Sequence, residues 1–173
     1  LEKDVPVRLS LFGMSGTRLF MGKLIANYVF LTFCFALYLV GTLCFVTIAS
    51  PKPMAVFIWI AAIYLMSGFC IALAHGIANM IRRFGITYAL VMAIYFTIMA
   101  LGGMMGIKLK DLPLELQNIS KLFPFTHFSN GYIDFWMGRD YNFAPLIHSL
   151  IFFAAISIGV MMISFKVRGR AES

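Results

Sequence analysis

Charge is what this chain has least of. Only 12% of its 173 residues are Asp, Glu, Lys or Arg, and just seven of them are carboxylates. A soluble domain carries about twice that charged fraction to keep its surface wet, so a soluble fold is excluded. Cysteine is scarce too: Cys34, Cys44 and Cys70 all fall in apolar runs and form no C-x-x-C pair, which excludes a zinc framework. Cys34 and Cys44 would lie about 15 Å apart on one helix, too far to bridge. No Ser/His/Asp or Cys/His set converges, so no catalytic residue is expected and the chain is not read as an enzyme. The opening LEKDVPVR has no initiator Met and no signal-peptide pattern, which suggests a start inside a longer protein.

What is abundant is apolar. Hydrophobic residues make up 61% of the chain and the mean hydropathy is +0.90. Residues 24–49, 54–80, 84–107 and 143–165 contain no Asp, Glu, Lys or Arg. Each run exceeds the roughly 20 residues that cross a bilayer as a helix. Helix is required because lipid offers unpaired backbone groups no partner, and the period-2 alternation of a barrel is absent. The expected fold is an all-α integral membrane protein with four transmembrane helices.

Four spans place both ends of the chain on one side. Nine cations (Lys3, Arg8, Arg18, Lys23, Arg82, Arg83, Lys166, Arg168 and Arg170) fall on that side, against five (Lys52, Lys108, Lys110, Lys121 and Arg139) on the other. The positive-inside rule makes the first side cytoplasmic and the protein a multi-pass protein of the cell membrane, with residues 166–173 a cytoplasmic tail. The net charge of +7 is then a matter of membrane orientation, and nucleic acid is not an expected partner.

Two segments resist the simple pattern. Residues 108–142 include KLFPFTHFSNGYIDFW, too aromatic for a solvated loop and too polar to span. Leu116, Ile119, Leu122, Phe123, Phe125, Phe128, Tyr132, Phe135 and Trp136 recur near helical spacing, and Pro124 divides them into two amphipathic pieces. A short amphipathic helix or a re-entrant hairpin in the outer interface fits, with an aromatic loop resting on the bilayer as the alternative. Residues 1–23 carry Val5, Leu9 and Phe12 on one helical face, with Asp4 as an N-cap and a break at Gly13, Ser15 and Gly16. An amphipathic helix on the cytoplasmic side can lie on the inner leaflet or dock in a partner's groove.

Other signals weigh less. Gly16 and Gly22-Lys23 have the wrong spacing for a phosphate loop, Leu24 stands where Ser or Thr should hold magnesium, and no strand precedes them. No ATP site is therefore expected here. His75, His127 and His148 lie at different depths, and no metal site is expected from them. His75 and Asn79, one turn apart in an apolar run, are candidates for a pathway or a helix contact. Small residues at four-residue spacing (Gly68, Ala72 and Gly76; Gly102 and Gly106; Ala155 and Gly159) suit close helix packing, within the chain or across a dimer seam.

Two stretches together resemble the permease subunits of type-2 ATP-binding-cassette (ABC) transporters. Glu2, Lys3, Leu9, Leu11, Ser15, Gly22 and Lys23 follow the family's order at the start, and Leu112-Pro113, Gln117, Pro124-Phe125-Thr126 and Gly138 follow it in the later segment. His127 stands where the family usually has Tyr, and Ile133 where Arg is common. The resemblance implies the C-terminal four of six spans of an ATP-driven exporter of unresolved substrate (drug, peptide, lipid or glycan). It makes residues 1–23 a coupling segment that contacts an ABC ATPase subunit through Glu2, Leu9, Leu11 and Phe12. It makes 108–142 an external re-entrant hairpin with Pro124, Phe125, Thr126, His127, Phe128 and Tyr132 as a gate. ATP and magnesium would sit on that partner, with no cofactor on this chain, and a second permease half or a homodimer would complete the assembly. A secondary transporter or channel subunit, or a non-transporting membrane scaffold, is the alternative reading.

Overall fold

The structure is a computed structural model, and it describes residues 16–45, 52–81, 83–103, 105–106 and 109–171. Every regular element among these is helical: α1 (Gly16–Phe45), α2 (Pro53–Ile81), α3 (Phe84–Leu101), a 3₁₀ turn (Leu109–Asp111), α4 (Leu114–Ser120), α5 (Pro124–Trp136) and α6 (Ala144–Ala171). The chain divides into two compact units, the first ending at Thr47 and the second beginning at Ile48.

The first unit is α1 alone. Its stretch Phe20–Cys44 is long and apolar enough to cross a membrane. Ile25, Val29, Phe30, Phe33, Leu37, Val40 and Leu43 are exposed on it, an all-round greasy surface that suits lipid or another helix. Thr32 and Thr42 donate their hydroxyls to Tyr28 O and Tyr38 O at 2.7 and 2.8 Å, which hides both polar groups within the helix. The helix opens at Gly16, eight residues before the charge-free run at 24, because Arg18 and Lys23 are tolerated near an end.

In the second unit α2 packs chiefly against α6, and α3 lies against α2. Pro53–Ile81 and Ala144–Lys166 are each long and apolar enough to span. The small stripe on α2 is part of this seam: Ala72 and Gly76 are buried. A Cβ built on Gly76 would lie 3.0 Å from Val160 Cγ1 and 3.1 Å from the Met161 backbone. The two helix backbones therefore meet where a side chain is missing. Gly159 on α6 has nothing within 4 Å of such a Cβ.

The third apolar run differs from expectation. It is helical over Phe84–Leu101 only, short of the expected end at 107, and its apolar part Gly85–Leu101 is shorter than the three long spans. Glycine explains the stop: Gly103 and Gly106 have φ of 79° and 82°, in the left-handed region that breaks a helix. The last helix, α6, continues past the charge-free run that ends at 165 to Ala171.

Pro124 divides the polar–aromatic segment as its sequence suggests. Residues 114–120 and 124–136 form separate helices, and Pro124 occupies the first position of α5, where its missing N–H costs nothing. Asn142 Oδ1 accepts from Ala144 N at 3.0 Å and caps the start of α6.

Candidate functional site

The site is built where α4 and α5 meet the ends of α2, α3 and α6. Trp59 is its hub. Its ring lies 4.6 Å from Phe128, 5.1 Å from Phe135 and 6.0 Å from Tyr141, centroid to centroid. Leu146 and Leu150 of α6 close the cluster. A second cluster joins Phe125 to Ile98 of α3 and Phe153 of α6, with the Phe125 and Phe153 rings 6.3 Å apart and edge to face. An apolar cavity of about 60 Å³ adjoins Phe125, between Cys70, Ile94 and Phe153.

A hydroxyl network sets α5 against α3. Ser120 Oγ donates to Leu101 O at 2.6 Å, and Thr126 Oγ1 donates to Ser120 O at 2.7 Å. The two hydroxyl oxygens are themselves 2.8 Å apart. Two protons thus serve three contacts, so the Ser120 hydroxyl either donates to Leu101 O alone or shares its proton with Thr126 Oγ1. Leu101 O is one of the carbonyls that a helix end leaves without an internal partner, and Ser120 supplies it. Both hydroxyl residues are fully buried.

A third set of contacts orients α5. His127 Nε2 lies 2.8 Å from Lys121 O; since a carbonyl only accepts, Nε2 carries the proton. Tyr141 OH donates to His127 O at 3.1 Å. Its ring lies so close to Gly131 that any Cβ there would overlap it, which is why α5 has a glycine one turn on. Burial, and then the Asp134 charge, push the Tyr141 phenol up, so it stays a donor at neutral pH. Lys52, just before α2, pairs with Asp140. That hydrogen bond, and then the Lys52 charge, hold the Asp140 carboxyl below its ordinary range. The contribution is present above the ordinary carboxylate range and is lost as pH falls through the lowered value. Both groups are exposed, so salt screens the pair.

The expected gate residues therefore come together. Pro124, Phe125, Thr126 and Phe128 are buried, and His127 is half-buried. Tyr132 lies on α5, with its side chain outside the described residues. Glu2, Leu9, Leu11 and Phe12 also lie outside the described residues. His75 is well away on α2, its ring 6.3 Å from Phe165 of α6, and Asn79 one turn on buries an amide nitrogen without a partner among the described residues. Sequence reasoning missed Trp59, Ser120 and Tyr141. Ser120 and Thr126 had one faint signal, two hydroxyls flanking a proline in an otherwise aromatic stretch.

Thr126→Val keeps the shape and removes the hydroxyl. Ser120 O retains the Phe123 N–H at 3.0 Å, so the expected loss is about 1 kcal/mol rather than the cost of an orphaned carbonyl. The melting temperature of the purified permease should fall by about 2–4 °C and return with Thr126→Ser. An unchanged value for valine would remove the network from the account.

A family model described as ABC-2 family transporter protein matches residues 5–166. The chain belongs to that family. No curated protein and no solved structure matches it. The match covers α1 through the spanning part of α6, so the apolar helices are those of an ABC-2 permease, a multi-pass membrane transport component. In this permease α4 and α5 are part of the matched body and pack with the apolar helices.

Proposed function

We propose that this ABC-2 permease chain forms four spans of an ATP-driven exporter, with both its ends cytoplasmic and α4–α5 capping the path on the outer side. The observation that carries the reading is the seat of α5. Phe125 packs on Phe153, about 13 Å along α6 from Ala144 by the helical rise, so one end of α5 reaches well below the end of a spanning helix. A helix lying flat on a surface would not touch a residue so far in. The reading makes α4–α5 a re-entrant hairpin. α3, at 18 residues, is within the range that can cross a bilayer and serves as the remaining span. Phe125, Phe128 and Thr126 form the closed gate, and the apolar cavity beside Phe125 gives that ring somewhere to go when the gate opens.

Energy comes from a separate ABC ATPase in this reading, since the sequence holds no phosphate loop. Residues 3–16 dock on that subunit through Leu9, Leu11 and Phe12, and two permease halves complete the transporter. The substrate is amphiphilic or lipid-associated, in keeping with an aromatic, uncharged interior. Leu9→Glu tests the coupling arm. Burying a carboxylate in an apolar groove costs several kcal/mol, so the intact permease should co-purify from membranes with a co-expressed ABC ATPase subunit, and the variant should not. Equal recovery with both, or with neither, would put a secondary transporter or a scaffold in its place.

A further inference from the structure

A second feature of this end of the molecule lies on the other side of Thr126 and His127 from the aromatic clusters. Between the α4–α5 turn and the first turns of α6 lies an open groove of about 710 Å³, within the size range of small-molecule sites. One part is polar: Lys121, His127 and His148 line it together with Thr126. Another is apolar, with Leu122 and Phe152 respectively 44% and 40% exposed into it or beside it. Among the described residues no carboxylate lines the groove. Asp134 near the end of α5 and Asp140 in the α5–α6 connection are paired with Arg139 and Lys52 respectively. Lys121 has no ion pair among the described residues.

We propose that this groove binds an anionic phospholipid of the adjoining leaflet, with the headgroup phosphate at Lys121 and His148 and the upper acyl chain along Leu122 and Phe152. Depth chooses a lipid over a free anion. His148 lies about 6 Å, and Phe152 about 12 Å, along α6 from Ala144 by the helical rise, so the groove passes from polar to apolar towards the middle of the spanning helix. A phospholipid has the same polarity gradient in the same direction. The apolar wall also continues into Ile156, exposed on α6 one turn beyond Phe152, so an acyl chain entering the groove stays within the bilayer's own surface. His127 holds its place in the wall because its Nε2–H is committed to Lys121 O. The site needs α6 to span the membrane but holds whether or not the protein exports.

The test is phosphatidylglycerol binding to the full-length permease in non-ionic detergent, read by native mass spectrometry. The wild type should retain one phosphatidylglycerol in preference to phosphatidylcholine. Lys121→Gln combined with His148→Gln should weaken phosphatidylglycerol about tenfold, roughly 1.4 kcal/mol for the pair, most of it from the Lys121 charge. Phe152→Ser should weaken both lipids. All three residues are exposed, so the melting temperature and recovery of the ATPase should not change, which separates this outcome from a failure of the exporter reading. Equal phosphatidylglycerol binding by wild type and double variant overturns the proposal. So does displacement of the lipid by equimolar inorganic phosphate, which would make the groove a free-anion site. A disulfide between two copies carrying Phe152→Cys would also overturn it, by showing the groove covered by a second permease.

Discussion

Trp59→Ala should lower the melting temperature of the purified permease by about 6–12 °C, the largest single-residue effect expected at this end of the molecule. Trp59 is 4% exposed and touches three aromatic rings from the connection between α4 and α6. In a water-facing core such a truncation costs roughly 3–5 kcal/mol, part of it transfer from water and part the cavity left behind. Near lipid the transfer part shrinks, but the lost contacts and the cavity remain. About 3 kcal/mol is therefore the expected loss, and a chain of this size converts each kcal/mol into about 2–4 °C. Trp59→Phe should recover most of it. The indole N–H has no acceptor among the described residues, so phenylalanine sacrifices volume but no hydrogen bond. Hydrogen exchange gives a second readout: amides of 124–136 should lose protection in the alanine variant while those of α2 and α6 keep theirs. A melting temperature within a degree of wild type would mean that α5 is held elsewhere, and the aromatic hub would lose its role.

The sequence makes the membrane helices plain and the site hardly visible, for a physical reason. A charge-free run longer than the bilayer is thick has one stable conformation in lipid, and α2 keeps within one residue of the run 54–80 that marks it. Helix ends are less legible. The run 84–107 looks uniform because glycine is not charged, yet Gly103 and Gly106 adopt positive φ and end the helix at Leu101. The break at Pro124 was legible because proline acts locally. Trp59 was not, since nothing in FIWIAA distinguishes it from its neighbours until Phe128 and Phe135, some seventy residues on, fold against it. Gly131 and Tyr141 show the same limit from both sides: the glycine needs the ring and the ring needs the glycine, and only the fold brings them together. Local chemistry decides where the helices run, and distant pairs decide what α4 and α5 rest on.

Gly76→Leu should be the most damaging change on the α2–α6 seam. A Cβ alone at Gly76 would sit 3.1 Å from both the N and Cα of Met161, and a backbone cannot rotate aside as a side chain can. Val160 Cγ1 at 3.0 Å gives little room either, since a β-branched residue in a helix has one strongly preferred rotamer. Leucine must therefore push the helices apart. Overpacking of this kind costs roughly 1–3 kcal/mol, with the upper end expected where backbone is the obstacle. The melting temperature should drop by about 6–10 °C, and Gly76→Ala should lie between leucine and wild type. Gly159→Leu is the matched control: the same substitution on the partner helix, at a position open within the described residues. It should leave the melting temperature nearly unchanged if close packing within the chain is the purpose of the α2 stripe alone. The reverse order, with Gly159→Leu the harmful one and the loss depending on protein concentration, would show that Ala155 and Gly159 face a second permease. The α6 stripe would then be the dimer seam, and the Gly76 contact would matter less to the assembled transporter than the meeting of two chains.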